Sequence, residues 1–332
     1  MPNHVFRPLV LSLAIAAAPA GAQEVMKIHL DLTQDSAPYQ GLKEFERLVE
    51  ERTNNAIDVE IYPNNALGDD VEAAQQIQFG AIHGAPIPTA ALSTFNPSLQ
   101  LIDLPFIFPS AKIAHETLDS PEVGGKLLEG MAESGFVGAT FFENGFKQLT
   151  CNHPIHEPSD YEGRKVRVMQ SPLLIAQFEA VGATAIPIAF SELYGALQQG
   201  VVECQENPLQ TINAMKFYEV QDYLTLSNHG YLGTVFVFSK VWFDAQSPET
   251  QDILMKSAHD AAVFERKAAA EFNDRILGEI RAEGSTEIIE LTQAQRDDFL
   301  AAMKPVHAKF ADEIGPDLIQ ATYDKVQSLS AK

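Results

Sequence analysis

Arg167 stands in the middle of the apolar run RKVRVMQ, between Val166 and Val168. Successive side chains of a strand point to opposite faces, so this arginine faces away from both valines. A cation in such a place is costly unless something negative meets it. Its planar fork matches a carboxylate bidentately. The residue therefore reads either as an anion receptor or as half of an internal ion pair with an Asp or Glu.

Other residues could complete an anion site. Asn207 lies just before Pro208 and either bonds a ligand oxygen or caps the helix that follows. Lys147, in ENGFKQLT, is a second cation for a dianion or a surface charge. Phe190, ahead of SELY, stacks on a ligand or belongs to the core. Tyr39, in DSAPYQG, and Thr89, after GAPIP, sit in strand-to-helix connections, which line clefts in α/β sheets. Glu203 and Glu206 read as groups that orient basic side chains or face solvent.

Enzyme signatures are missing: there is no G-x-S-x-G, Walker loop or G-x-G-x-x-G. His153 and His156 are separated by Pro154, which breaks helical metal-ligand spacing. Asp69 and Asp70 lack the remaining ligands of a calcium loop and read as a helix start. No catalytic residue, metal or cofactor is expected.

The chain has 332 residues and a formal net charge of −22. Its length suggests about two domains. An acidic surface argues against nucleic acid and anionic membranes as partners. An anionic ligand would then rely on local cations, which screening beyond about 8–10 Å allows. Residues 1–22 carry a weakly basic start, an apolar run from Leu9 to Ala18 and the pattern Ala20-Gly21-Ala22. This reads as a signal peptide cleaved after Ala22. The run is about half of what a membrane span needs, so an exported, soluble, periplasmic protein without membrane insertion is expected. Cys151 and Cys204 are the two cysteines. An oxidising compartment permits a bond between them, but spacing leaves two buried thiols equally open.

Strands and helices alternate after residue 23. MKIHLDL, IDVEIYP, GAPIP, FVGATFFEN, KQLTCN, RKVRVMQ, ATAIPI and VVECQEN read as strands. Tyr39–Arg52, Asp69–Phe79, the segment opened by Ser171-Pro172, FSELYGALQQG and PLQTINAMKFYEVQ read as helices. Further helices are expected around 110–134. This is an α/β pattern with largely parallel sheets. A helical pattern from Ser247-Pro248 to about Ala282 would span roughly 50 Å and could brace two lobes. Thr292 with Gln295 resembles a capping box.

The segments YPNNALGDDVEAAQQIQFG, LIDLPFIF, ENGFKQLT, GRKVRVMQSP, AFSELYGALQQGVV, QENP and EVQDYLTLSNHGYLG together resemble the substrate-binding subunits of TRAP transporters, of the DctP type that binds C4-dicarboxylates. The resemblance implies a two-domain, periplasmic-binding-protein-like α/β fold with an interdomain cleft and a long bracing C-terminal helix. It implies residues 23–145 plus 232–270 as one domain and 146–231 plus 271–332 as the other. It places the carboxylate-clamping arginine on Arg167, its polar partner on Asn207, the closing aromatic on Phe190 and a second cation on Lys147. Cys204 and Glu203 depart from the family's usual Gly and Asp. The implied function is a non-enzymatic receptor for malate, succinate or fumarate that serves TRAP membrane subunits. A receptor for a sugar acid or another monocarboxylate, or a sensory ligand-binding protein, is the alternative.

Overall fold

The computed structural model describes residues 23–331, so the expected signal peptide lies outside the described residues. Nine strands form one sheet: β1 (Glu24–His29), β2 (Ile57–Tyr62), β3 (Gly84–Pro88), β4 (Phe136–Cys151), β5 (Lys165–Val168), β6 (Thr184–Pro187), β7 (Cys204–Pro208), β8 (Tyr223–Ser239) and β9 (Glu287–Glu290). Their order is β2-β1-β3-β8-β4-β7-β5-β6, with β9 beside β8. The α-helices in the first half are α1 (Ala37–Arg52), α2 (Asp70–Gln78), α3 (Thr89–Leu92), α4 (Gln100–Asp103), α5 (Ala111–Leu118) and α6 (Lys126–Gly130). Those after them are α7 (Pro172–Glu179), α8 (Leu193–Gln198), α9 (Leu209–Ala214), α10 (Lys240–Asp244), α11 (Pro248–Glu283), α12 (Gln293–Met303), α13 (Pro305–Lys309), α14 (Ala311–Ile314) and α15 (Pro316–Ser330).

Two differences from the sequence reading decide the architecture. FVGATFFEN and KQLTCN are one continuous strand, β4, carried across ENGFKQ by irregular register near Gly145 and Lys147. The long strand β8 pairs with it antiparallel. The parallel pairs β1·β2, β1·β3, β5·β6 and β5·β7 therefore flank an antiparallel centre. An alternation of apolar residues identifies half-buried strands, but β8 is buried almost throughout and SNHG interrupts its pattern. Opposite β4, the β8 residues from Leu226 to His229 form a wide irregularity, with Asn228 at φ 47°. That detour turns His229 toward the interior.

Two cores lie on the two faces of the sheet. Side-chain alternation sends Phe141, Val235 and Val237 into one, and Phe142, Phe236 and Phe238 into the other. Each core contains residues from both ends of the sheet. The sheet thus welds the halves together, and β4 and β8 are the strands shared between them.

The helices begin where their residues dictate. Ser36, Ser171 and Ser247 cap α1, α7 and α11, each accepting a backbone N–H and each followed by proline within the first turn. Gly80, at φ +77°, follows the C-cap of α2. The segment PLQTINAMKFYEVQ does not stay helical: α9 ends at Ala214, and Lys216 adopts φ 55°. The bracing helix α11 has 36 residues and packs on α1, β4 and α9, which belong to different ends of the sheet. Gly41 admits it, because a Cβ there would come within 2.7 Å of Glu265. The capping box of Thr292 and Gln295 opens α12 as expected.

Candidate functional site

Arg167 lies on β5, between β7 and β6. Val166 and Val168 fill a core on one face, and Arg167 is buried on the other. Its Nε donates to the Ile188 carbonyl at 2.9 Å. Among the described residues the guanidinium makes no other hydrogen bond and no ion pair within 4 Å, which leaves its fork free. Burial lowers its pKa to about 10, partly offset by Asp70, Glu206, Asp69 and Asp31. It stays cationic at neutral pH.

Two narrow hollows flank this guanidinium. They leave about 30 and 10 Å³ for the centre of a water-sized sphere. Phe190 walls both, with its ring centroid 5.9 Å from the guanidinium carbon. It also packs edge-on against Phe217, so the ring belongs to the core and to the hollow at once. Asn207, Asn144 and Thr211 line the inner hollow. Asn207 caps no helix. It is the penultimate residue of β7, just before Pro208, and its Nδ2 donates to Gln205 Oε1 at 2.6 Å. At the mouth Asp69 Oδ2 accepts from Ser191 Oγ at 2.9 Å, which ties the start of α2 to the segment carrying Phe190. The site is shut, and a ligand of several heavy atoms needs the walls to part.

Asp31 and Asp70 also line the inner hollow, and sequence reasoning missed both. Asp31 follows the C-terminal end of β1 and Asp70 opens α2. Burial pushes the Asp31 carboxyl up to about 7, with Asp69 adding to it and backbone N–H groups and Arg167 opposing. Burial, then Asp31 and Asp69, push Asp70 well above the carboxylate range. One Asp70 oxygen is buried without a partner. The signal that singled out Arg167 was also present at Asp31, a charge inside MKIHLDL.

Lys147 is placed differently from the expectation of a second ligand cation. Its Nζ lies 2.9 Å from Glu206 and 3.4 Å from Asp103, with all three side chains sealed from solvent. It lines neither hollow beside Arg167. Burial opposes the ammonium, but Glu206 and Asp103 outweigh it and raise its pKa. Burial pushes Glu206 up, but Lys147 and His229 outweigh it and hold it at about 2. Asp103 is raised, because burial exceeds the pull of a lysine already shared with Glu206. Thr89 is engaged nearby: its Oγ1 donates to Asp103 at 2.8 Å. Tyr39 is half-buried against the α1 side of the core and lines neither hollow. The fold therefore gathers Arg167, Asn207 and Phe190, and leaves Lys147, Thr89 and Tyr39 out of that cluster.

Cys151 and Cys204 are bonded, directly opposite each other on β4 and β7 with Cα atoms 4.0 Å apart. The bridge ends three residues before Asn207. A groove of about 690 Å³ among α12, α13 and α15 is mostly apolar and offers no buried cation to an acid. No group of three or more His, Cys, Asp or Glu among the described residues could hold a metal ion. No helix among them is long and apolar enough to cross a membrane.

Residues 31–313 match the family model described as bacterial extracellular solute-binding protein, family 7. The chain is 35% identical, over 94% of its length and 93% of the relative's, to the C4-dicarboxylate-binding periplasmic protein DctP of Rhodobacter capsulatus. It resembles the TRAP periplasmic solute-binding protein of Sulfurospirillum deleyianum with bound succinate: TM-score 0.87, 36% identity, coverage 91% of this chain and 98% of that one. It equally resembles the sugar acid binding protein DctPAm of Advenella mimigardefordensis in complex with galactonate: TM-score 0.89, 34% identity, coverage 92% and 98%.

Proposed function

The chain belongs to the family-7 bacterial extracellular solute-binding proteins, and on that premise we propose that it captures a small hydroxylated organic acid by a carboxylate on Arg167 and presents it to a TRAP membrane transporter. It acts as a receptor and performs no chemistry. The observation that carries this reading is the free fork of Arg167 in one hollow with Asp31 and Asp70.

The composition of that hollow selects among acids. A carboxylate meets Arg167, and Asn207 lines the same hollow. Asp31 and Asp70 line the same hollow, and their carboxyl groups accept hydrogen bonds from hydroxyls whether or not they are protonated. The second cation, Lys147, is already neutralised by Glu206 and Asp103. A monocarboxylate with hydroxyls, of the aldonate type, matches this set of groups.

A C4-dicarboxylate is the second reading. The kinship with a relative named for C4-dicarboxylates and a neighbour with bound succinate favours it. Its second carboxylate would need Asp31 or Asp70 to be protonated and to donate, which their raised pKa values allow. Malate, with both features, fits either reading.

Binding proceeds by hinge closure. The lobes are residues 23–145 with 232–270, and 146–231 with 271–332. β4, β8 and α11 cross between them, and α14 and α15 lie over the first lobe. In the open form the acid meets Arg167. Closure excludes water and brings Phe190, Asp31 and Asp70 onto it. Charge-assisted bonds contribute roughly 1.5–3 kcal/mol each. Water exclusion and burial of the acid add to them, and a micromolar Kd corresponds to about −8 kcal/mol. A leader ending at Ala22 would deliver the chain to the periplasm.

The test is a melting-temperature screen of residues 23–332 against galactonate, erythronate, malate, succinate and fumarate. A ligand that binds only the native state raises Tm by mass action. Larger shifts with the hydroxylated acids support the first reading. Shifts confined to malate, succinate and fumarate replace it with the second, and no shift from any small acid refutes both.

A further inference from the structure

A buried chain of polar groups crosses the centre of the sheet, from the helices that follow β3 to β7 and α7. At one end Thr89, at the start of α3, donates to Asp103, the last residue of α4. Lys147 on β4 joins Asp103 at 3.4 Å to Glu206 on β7 at 2.9 Å. Glu206 also meets His229 Nε2 at 2.6 Å and accepts from Gln177 of α7 at 3.3 Å. His229 Nδ1 in turn lies 2.7 Å from Ser227 Oγ.

The ends of this chain belong to different bodies. Asp103 and Thr89 are carried by helices beside β3 and the early part of the chain. Glu206 and Gln177 are carried by β7 and α7, in the half that bears Arg167. Lys147 and His229 come from the two strands common to both. Lys147 has a prepared place: its Cδ would be 3.3 Å from a Cβ at residue 230, where the chain has Gly230. Its register partner on β7 is Pro208, directly after Asn207.

We propose that Asp103 is a positioning residue for ligand capture: through Lys147 it ties its lobe to Glu206, and so holds the Asn207 strand in the closed arrangement. This rests on the reading of Arg167 as the ligand clamp. One ammonium satisfies both carboxylates only while the lobes are together. When they part, Lys147 stays with Glu206, the closer partner on the neighbouring strand, and the Asp103 arm breaks. A buried carboxylate that loses its cation must be rehydrated, so the bridge favours closure and slows release. It asks nothing of the ligand, and it explains a fully buried lysine beside an anion site it does not enter.

The experiment compares wild type and Asp103→Asn in two readouts. One is the interlobe distance between nitroxides at Glu51→Cys and Glu162→Cys, both exposed, with and without the tightest-binding acid of the screen. The other is the association and dissociation rates of that acid. The expected result is a melting curve close to wild type, a smaller short-distance population with ligand, dissociation at least tenfold faster and an association rate within about twofold. A residue that only supports the fold would lower Tm and leave the rates unchanged. Folded Asp103→Asn with wild-type distances and dissociation overturns the proposal. If that variant does not fold, Asp103→Ser, which removes the carboxylate and leaves Lys147 with Glu206, is judged by the same readouts. Arg167→Ala, measured alongside, separates the two ideas: undiminished binding there refutes the clamp, while the Asp103 rates decide the bridge. A wild type whose lobes never approach, with or without an acid, overturns the bridge.

Discussion

The Lys147 ammonium lies 2.9 Å from Glu206, with both side chains almost completely buried. A lysine that the sequence offered as a ligand contact is thus an internal counter-ion. Removing it leaves Glu206 and Asp103 buried without their cation. Lys147→Met is expected to cost about 3–5 kcal/mol, measured as a lower urea midpoint at unchanged slope. A change below about 1 kcal/mol would contradict the buried bridge.

Glu206 gives this bridge a pH signature. Its carboxyl is held at about 2 against 4.5 for the free group. A depressed carboxylate contributes stability that is present above pH 4.5 and is lost as pH falls toward 2. The contribution is on the order of 3 kcal/mol. Glu206→Gln should be less stable than wild type at pH 6, and the gap should narrow between pH 4.5 and 2. A gap independent of pH would mean that the glutamate charge is not what matters.

Asp31 works with the opposite sign. Its pKa is raised to about 7 from 3.8, so it favours the folded state below pH 3.8, and that contribution is lost as pH rises through 7. Ligands inherit the same switch. An acid that accepts a hydrogen bond from protonated Asp31, as succinate would, should weaken as pH rises through 7, up to tenfold per pH unit. An aldonate whose hydroxyl donates to Asp31 should hold or gain affinity over the same range. Titration calorimetry at pH 5.5, 7 and 8.5 separates the two, and Asp31→Asn should remove either slope.

The disulfide makes a claim about stability. Cys151 and Cys204 are 53 positions apart, and closing a loop of that size in the unfolded chain is worth about 4 kcal/mol. Cys151→Ala with Cys204→Ala should lower the unfolding free energy by roughly 2–4 kcal/mol and remove any effect of reductant on it. Equal stability of the oxidised and reduced wild type would contradict this.

What could be read in advance follows from how local each signal was. Capped helices announced themselves at Ser171, Ser247 and Thr292, because a cap and its first turn are adjacent in sequence. Arg167 was legible because a charge in an apolar strand has few explanations. Strand β8 was not, because burial on both faces erases the alternation that marks a strand. The partners of Lys147 were not either: Asp103 and Glu206 lie 44 and 59 positions away, and only the pairing of β4 with β7 and the packing of α4 bring them together. Asp31 carries the same mark as Arg167, a charge within an apolar run, but no motif surrounds it. The cysteine pairing needed the β4·β7 register, which spacing alone does not contain.

On the proposed function, the free fork of Arg167 receives the ligand's carboxylate. The most direct measurement is calorimetric titration of wild type, Arg167→Ala and Arg167→Lys with the acid that gives the largest thermal shift. Micromolar binding is expected of wild type, none detectable of Arg167→Ala, and at least tenfold weaker binding of Arg167→Lys, whose ammonium lacks the bidentate fork. All three should fold. A folded Arg167→Ala that binds the acid with wild-type affinity would rule out Arg167 as the carboxylate receptor.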